Sequence, residues 1–84
     1  MFFVYVLRNP KGLLYKGQTD NLQERVRQHN QKDGFRAYTK NRGPWTLVYF
    51  EEFQTRQQAK NREKFLKTGK GRSFLVELLK ETSN

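Results

Sequence analysis

The chain of 84 residues contains no cysteine, only two prolines, and a single tryptophan and methionine. The absence of cysteine excludes a disulfide framework and a cysteine-based zinc site as sources of stability. Acidic residues are also scarce, because eight Asp and Glu stand against seventeen Lys and Arg. No apolar run approaches the roughly 20 residues of a membrane span, and no signal-peptide pattern follows Met1. We therefore expect a cytoplasmic protein that does not bind membranes.

The excess of basic residues gives a net charge of +9. Such a charge on a short chain points to a polyanionic partner, of which nucleic acid is the first candidate. A solvated basic surface with no such partner is the alternative. A chain of this length supports one small core, which seven Phe, four Tyr and one Trp are expected to supply. We expect one domain over residues 1–84 and, by default, a monomer.

Aromatic and β-branched runs at residues 2–7 and 13–19 flank an Asn-Pro-Lys-Gly turn, which is the pattern of a β-hairpin. The turn glycine suits a three-residue loop with a glycine bulge, and the resulting register pairs Tyr5 with Gly17. Odd-numbered residues of both strands then share one face, so Tyr5 and Tyr15 become neighbours. Gly17 leaves a hollow beside them that a ligand or another backbone can approach.

Capping signals and hydrophobic periodicity predict the remaining elements. They are a helix over residues 21–30, a strand over residues 45–53, a helix over residues 55–67 ended by Gly69, and a last helix capped by Ser73. Residues 31–43 have the composition of an ordered loop or short helix. The order is β-β-α, a short insertion, then β-α-α. This order predicts an α+β domain in which helices cover three strands.

Polar side chains occupy positions at which periodicity predicts apolar ones. Glu63 lies on the inner stripe of the second long helix, between Ala59 and Leu66. Arg25 and His29 lie on or beside the inner stripe of the first helix. An unpaired buried carboxylate is costly, so Glu63 requires a cation, hydrogen bonds or a metal.

With Tyr5 and Tyr15, these residues supply what phosphodiester hydrolysis needs, namely a carboxylate for a metal, a cation for the transition state and a base for water. Structural explanations stand beside this one. The tyrosines are common sheet residues, Arg25 and Glu63 are a plausible structural ion pair, and His29 suits a helix C-terminus. Only their joint occurrence at inward positions favours an enzyme.

Four ordered segments resemble motifs of the GIY-YIG nuclease superfamily. They are Val4-Tyr5, Tyr15-Lys16-Gly17, residues 17–22 followed by Arg25 and His29, and residues 59–63 followed by Leu66-Lys67. The likeness covers about residues 2–75 and is to the small stand-alone single-domain bacterial members, the UPF0213-like group. The chain departs from the pattern where Phe3-Val4 replace Gly-Ile, where Lys16 replaces an apolar residue, and where Gln18 stands for the lysine of some repair members.

The resemblance implies a three-stranded antiparallel sheet with flanking helices. It also implies hydrolysis of DNA phosphodiester bonds with one divalent cation, Mg²⁺ or Mn²⁺, held by Glu63. By the same resemblance Arg25 stabilises charge on the phosphate, and Tyr15, alone or with His29, activates water while Tyr5 supports them. A phenol ordinarily has a pKa near 10, so a tyrosine base needs the metal or an arginine nearby.

The surface expected to bind nucleic acid combines a glycine with basic and aromatic residues. Its members are Gly17, Lys16, Arg36, Tyr38, Lys40, Arg42, Arg62 and Lys67. The leading hypothesis is a metal-dependent endonuclease acting on DNA. The alternatives are a non-catalytic nucleic-acid-binding module that keeps the fold, and a purely structural partner protein. Salt-sensitive binding without cleavage indicates the first alternative, and an absence of salt-sensitive binding indicates the second.

Overall fold

A computed structural model describes residues 1–31 and 42–82 of the chain. Its elements are β1 (Phe2–Arg8), β2 (Leu14–Thr19), α1 (Leu22–His29), β3 (Thr46–Phe53), α2 (Arg56–Leu66) and α3 (Gly69–Thr82). The strands form one antiparallel sheet in the order β2-β1-β3. The predicted α+β class and element order are therefore confirmed. Most of the segment that we expected to be an ordered loop or short helix lies outside the described residues.

The β1–β2 hairpin has the predicted register, with Tyr5 opposite Gly17. Asn9 closes the turn, because its amide donates to the Leu13 carbonyl over 3.1 Å and its side-chain oxygen accepts from the Leu13 amide over 2.8 Å. Gly12 has a φ of 84°, a left-handed conformation that residues with a Cβ rarely adopt. The turn chemistry thus fixes which residues of the two strands face each other.

The sheet carries an apolar core on each face. The first core contains Val4, Val6, Ala59, Leu66 and Leu75. The second contains Tyr5, Leu7 and Trp45, with Leu22 and Val26 packed against it. Because side chains alternate along a strand, the even-numbered residues of β1 face α2 and α3 while the odd-numbered residues face α1. The helices that carry Glu63 and Arg25 therefore lie on opposite faces, and their side chains can meet only around an edge of the sheet.

The corner between α2 and α3 corrects one prediction. We predicted that Gly69 ends a helix and Ser73 caps the next, but α3 already begins at Gly69. The Thr68 hydroxyl donates to the Phe65 carbonyl over 2.6 Å and accepts from the Gly71 amide over 3.1 Å. Gly71 is buried, and a Cβ atom there would lie 2.0 Å from the Phe65 carbonyl oxygen. The glycine therefore permits close packing at a tight corner.

The caps of the other two helices lie where the predicted helices start, at residues 21 and 55. Thr55 and Gln58 form a capping box at the start of α2, in which each side chain accepts from the other residue's amide. Asn21 caps α1 by accepting from the Glu24 amide over 3.1 Å. Within residues 1–31 and 42–82, no helix has both the length and the apolar character that crossing a bilayer requires.

Candidate active site

Two tyrosines and a histidine form an aromatic cluster on the α1 side of the sheet. Tyr5 and His29 are fully buried, and the Tyr5 hydroxyl forms a hydrogen bond of 2.9 Å with His29 Nε2. The half-buried Tyr15 packs against both rings, with centroid distances of 4.6 Å to His29 and 6.2 Å to Tyr5. The buried pair therefore fixes the ring of Tyr15, which is the member of the cluster that reaches solvent.

The space beside Gly17 is filled by Tyr5. A Cβ atom on Gly17 would lie 2.6 Å from the Tyr5 hydroxyl oxygen and 2.7 Å from Tyr5 Cζ. The missing side chain thus allows the phenol ring to cross β2 closely and reach His29. The expectation of an open hollow for a ligand was wrong on this face, because the chain's own tyrosine occupies it.

One face of α2 follows the edge strand β2. Three residues spaced i, i+7 and i+11 share this face: Arg56 and Glu63 in the helix, and Lys67 at its C-cap. At one end, the Arg56 guanidinium donates to the Gln18 side chain over 3.2 Å. At the other end, Lys67 lines a groove with Leu14, Tyr15 and Lys16. Glu63 lies between these two contact points along α2.

The groove straddles the edge of the sheet and has a volume of about 320 Å³. Tyr15 reaches it from the α1 side, whereas Lys16 reaches it from the α2 side, because neighbouring residues of a strand point to opposite faces. No strand of the described structure pairs with the outer edge of β2. The groove is therefore a place where side chains from both faces can act on one ligand.

Glu63 is half-buried, with 22% of its side chain exposed, and its Oε2 lies 2.7 Å from Lys67 Nζ. The carboxylate is thus paired with Lys67 rather than with Arg25. Among the described residues, its Oε1 accepts no hydrogen bond. Over the same residues no group of three or more His, Cys, Asp or Glu side chains assembles. A lone carboxylate with an available oxygen fits Mg²⁺, which is commonly held by one or two carboxylates and completed by water and phosphate.

Arg62, which we expected to bind nucleic acid, is held in a network on the α2 side. Its Nε and Nη2 donate to the two carboxylate oxygens of Glu51 over 2.8 and 3.1 Å, and Tyr49 donates its hydroxyl to the same carboxylate. The guanidinium also lies over the rings of Phe65 and Phe74. Burial opposes ionisation of Glu51, but the bonds from Arg62 and Tyr49 outweigh it and lower the pKa of Glu51. Burial and the Glu51 carboxylate raise the pKa of Tyr49 to about 12.

The remaining predicted residues that the structure describes do not line the groove. Arg25 is half-buried on α1, on the same face of the sheet as Tyr15. Arg42 is exposed, and its carbonyl accepts from the Asn9 side chain over 3.0 Å, near the hairpin turn. Three further members of the predicted nucleic-acid surface lie outside the described residues: Arg36, Tyr38 and Lys40.

Two basic residues that we did not select from the sequence lie beside β2. Arg56 contacts Gln18, and its helical spacing from Glu63 was the signal that could have identified it. Burial lowers the pKa of Lys16, and the charges of Arg72 and Lys67 lower it further. No signal pointed to Arg72, because the last helix was predicted to begin after it.

The chain is similar in sequence and in fold to known proteins. Residues 1–74 match the model of the GIY-YIG catalytic domain. UPF0213 protein CPE1444 of Clostridium perfringens is 43% identical over 67 residues, which cover 80% of this chain and 71% of that protein. A UPF0213 protein of Pediococcus pentosaceus is 41% identical over 80 residues, covering 95% and 82%. The solution NMR structure of UPF0213 protein BH0048 from Bacillus halodurans is similar in fold, with a TM-score of 0.55, 31% identity and coverage of 93% and 85%.

Proposed function

The chain belongs to the GIY-YIG catalytic domain family, and on this premise we propose that it is a metal-dependent endonuclease that hydrolyses phosphodiester bonds of DNA. The net charge of +9 supports a polyanionic substrate bound through its backbone. The observation that carries the proposal is the groove at the edge of β2. There Tyr15, from one face of the sheet, lines the same groove as Lys67, the ion-pair partner of Glu63.

On the α1 side, Tyr15 positions and activates the water that attacks the phosphate in the groove. The Tyr15 ring packs on His29, which is hydrogen-bonded to Tyr5. The orientation of Tyr15 is therefore set before the substrate arrives. Tyr5 and His29 are buried and act as positioning residues. Arg25 offers guanidinium donors to the phosphate oxygens and stabilises the negative charge that develops in the transition state.

On the α2 side, Glu63 is the residue that holds the divalent cation, Mg²⁺ or Mn²⁺. When bound, the cation neutralises phosphate charge and acts as a Lewis acid. In the free protein Lys67 orients the Glu63 carboxylate through an ion pair, with 2.7 Å between Nζ and Oε2. Because Glu63 is a single protein ligand, we expect weak cation binding by the protein alone and tighter binding once a phosphate oxygen completes the site.

Nicking of supercoiled DNA in Mg²⁺ or Mn²⁺ tests this function. Glu63→Gln keeps the size of the side chain and removes the charge, so we expect the nicking rate to fall by about 100-fold or more. Glu77→Gln is the matched control, since it makes the same change on the exposed side of α3 and should nick at the wild-type rate. Equal nicking by Glu63→Gln and wild type would rule out this site.

The ion pair between Glu63 and Lys67 favours a second candidate, a non-catalytic module that binds nucleic acid with the same fold. An internal cation already balances the charge of the carboxylate, so no metal is required for that purpose. This candidate predicts DNA binding that falls steeply with salt, no cleavage with any divalent metal, and an affinity that Glu63→Gln leaves unchanged or slightly raises. Wild-type cleavage that Glu63→Gln abolishes would exclude it.

A further inference from the structure

Two basic side chains line the groove, and a third lies on the adjoining corner between α2 and α3. Lys16 lies on the α2 side of β2 and is half-buried, Lys67 caps the C-terminus of α2, and Arg72 lies in the first turn of α3. Lys16 and Lys67 both line the groove. Arg72 directly follows Gly71, which packs against the end of α2, so its backbone lies next to that of Lys67. We call these three residues the basic corner.

The basic corner is held by backbone packing. Gly71 approaches so closely that a Cβ atom would lie 2.0 Å from the Phe65 carbonyl oxygen. The Thr68 carbonyl accepts from the Arg72 amide over 2.9 Å, and its hydroxyl bridges the two helices. The backbones that carry Lys67 and Arg72 are therefore fixed relative to each other. A preorganised charge cluster of this kind loses less entropy on binding a ligand than one on a loose tail.

The charges of the basic corner are not balanced within the described residues. Glu63 pairs with Lys67, but neither Lys16 nor Arg72 has an acidic partner there. Three positive charges thus share one negative charge. Burial first, and then the charges of Arg72 and Lys67, lower the pKa of Lys16. The free protein accordingly tolerates a repulsion that a bound anion would relieve.

We propose that the basic corner is a phosphate subsite on the α2 side of the groove, which binds a backbone phosphate of the nucleic-acid strand next to the phosphate on which Tyr15 acts. It rests on the proposed function, since the strand it holds is the substrate of that site. Lys16 and Arg72 clamp this phosphate from β2 and α3. The clamp sets which phosphodiester bond reaches Tyr15, because the distance between the subsite and Tyr15 fixes the position of the strand.

DNA binding without metal tests the subsite independently of cleavage. A fluorescein-labelled DNA duplex is titrated in EDTA across a salt series, with Lys16→Gln, Arg72→Gln, Lys16→Arg and Lys80→Gln compared with wild type. Each lost phosphate contact should reduce the slope of log K against log salt by about 0.9 and weaken binding about threefold or more. We expect this loss for Lys16→Gln and Arg72→Gln, and none for Lys16→Arg, which keeps the charge. Lys80→Gln, an exposed change of equal charge on α3, should also leave the slope unchanged.

Thermal stability separates a binding role from a structural one. Removing the repelled charge in Lys16→Gln should raise Tm at neutral pH by about 1 to 5 °C, the range expected of one surface charge interaction. A lysine kept for packing would instead lower Tm when replaced. The subsite is supported if Lys16→Gln binds DNA more weakly and is more stable than wild type. It is overturned if the salt slopes of Lys16→Gln and Arg72→Gln equal that of Lys80→Gln.

Two further measurements identify the ligand and separate this proposal from the proposed function. In the first, inorganic phosphate is added while the NMR signal of the Gly71 amide is followed, which reports binding of a free anion at the basic corner. If phosphate binds there but the variants bind DNA as wild type does, the corner is not a nucleic-acid subsite. Slopes that fall as expected while wild type cleaves nothing leave the subsite standing and refute the nuclease. Metal-dependent nicking by wild type with unchanged slopes in the variants supports the nuclease and refutes the subsite.

Discussion

The hydroxyl of Tyr5 and Nε2 of His29 meet 2.9 Å apart in the interior, where both residues are fully buried. A buried hydrogen bond costs more to break than it contributes when made, because the remaining partner stays desolvated. This pair lies directly under Tyr15. At the scale of single residues, the aromatic cluster therefore divides into a buried structural pair and one half-buried side chain that lines the groove.

Replacing one tyrosine of the cluster should separate these roles. Tyr5→Phe leaves His29 buried without the hydroxyl, so we expect the free energy of unfolding to fall by about 1 to 3 kcal/mol. Tyr15→Phe keeps its packing on His29 and should cost less stability while reducing nicking more. Urea denaturation and the nicking assay measure the two effects. A Tyr5→Phe variant as stable as wild type would contradict the structural role.

The network around Glu51 predicts a dependence of stability on pH. Its pKa is held below the ordinary value of 4.5, so the stabilisation is complete above that pH and is lost as pH falls through the lowered value. Glu51→Gln should therefore cost about 1 to 3 kcal/mol at neutral pH, and its difference from wild type should shrink in acid. Chemical denaturation at a series of pH values checks this. Glu52→Gln, an exposed neighbour on β3, should change stability little at any pH.

Several of these residue positions followed from the sequence. The hairpin register and the inward placement of His29 were predictable because turn chemistry and helical periodicity are local, whereas Glu63 is only half-buried. The filling of the space at Gly17 was not, since it depends on the path of the Tyr5 ring across a neighbouring strand. The pairing of Arg62 with Glu51 joins two elements in space and likewise leaves no mark on local sequence.

At the scale of elements, the corner between α2 and α3 shows why a glycine can be misinterpreted. Glycine commonly ends helices, so Gly69 was predicted to end one. In the structure a short turn at Thr68 separates the helices, and the glycine that matters is Gly71, which lets α3 pack against the end of α2. Close approach of two backbones is a tertiary requirement. The residues that meet it look the same in sequence as those that end a helix.

Two alanine substitutions in α3 form a matched pair for this corner. Gly71→Ala places a Cβ against the Phe65 carbonyl oxygen and should destabilise the protein by about 3 kcal/mol or more. In Gly69→Ala the new Cβ meets no described atom within 4 Å, and alanine favours a helix, so stability should rise by up to about 1 kcal/mol. Thermal or urea unfolding distinguishes the two. Similar effects of both substitutions would contradict the packing described at the corner.

At the scale of the whole molecule, the sheet separates the proposed catalytic groups. The aromatic cluster and α1 lie on one face, and α2 with Glu63 lies on the other. The sequence predicted the element order and fold class, but it did not reveal this division, because the assignment of helices to faces depends on the three-dimensional path of the chain. The two sets of groups can act together only at the edge strand β2, because the groove there is lined by side chains from both faces of the sheet.

The most direct test of this account is a double-mutant cycle between the two faces. Single-turnover cleavage of DNA in Mn²⁺ is measured for wild type, Tyr15→Phe, Glu63→Gln and the double variant, with DNA binding in EDTA as the control for substrate affinity. Residues that act on one phosphate are strongly non-additive. The account predicts a large loss in each single variant and little further loss in the double variant. Losses that multiply, or a Tyr15→Phe variant that cleaves as fast as wild type, would contradict a shared site across the edge of the sheet.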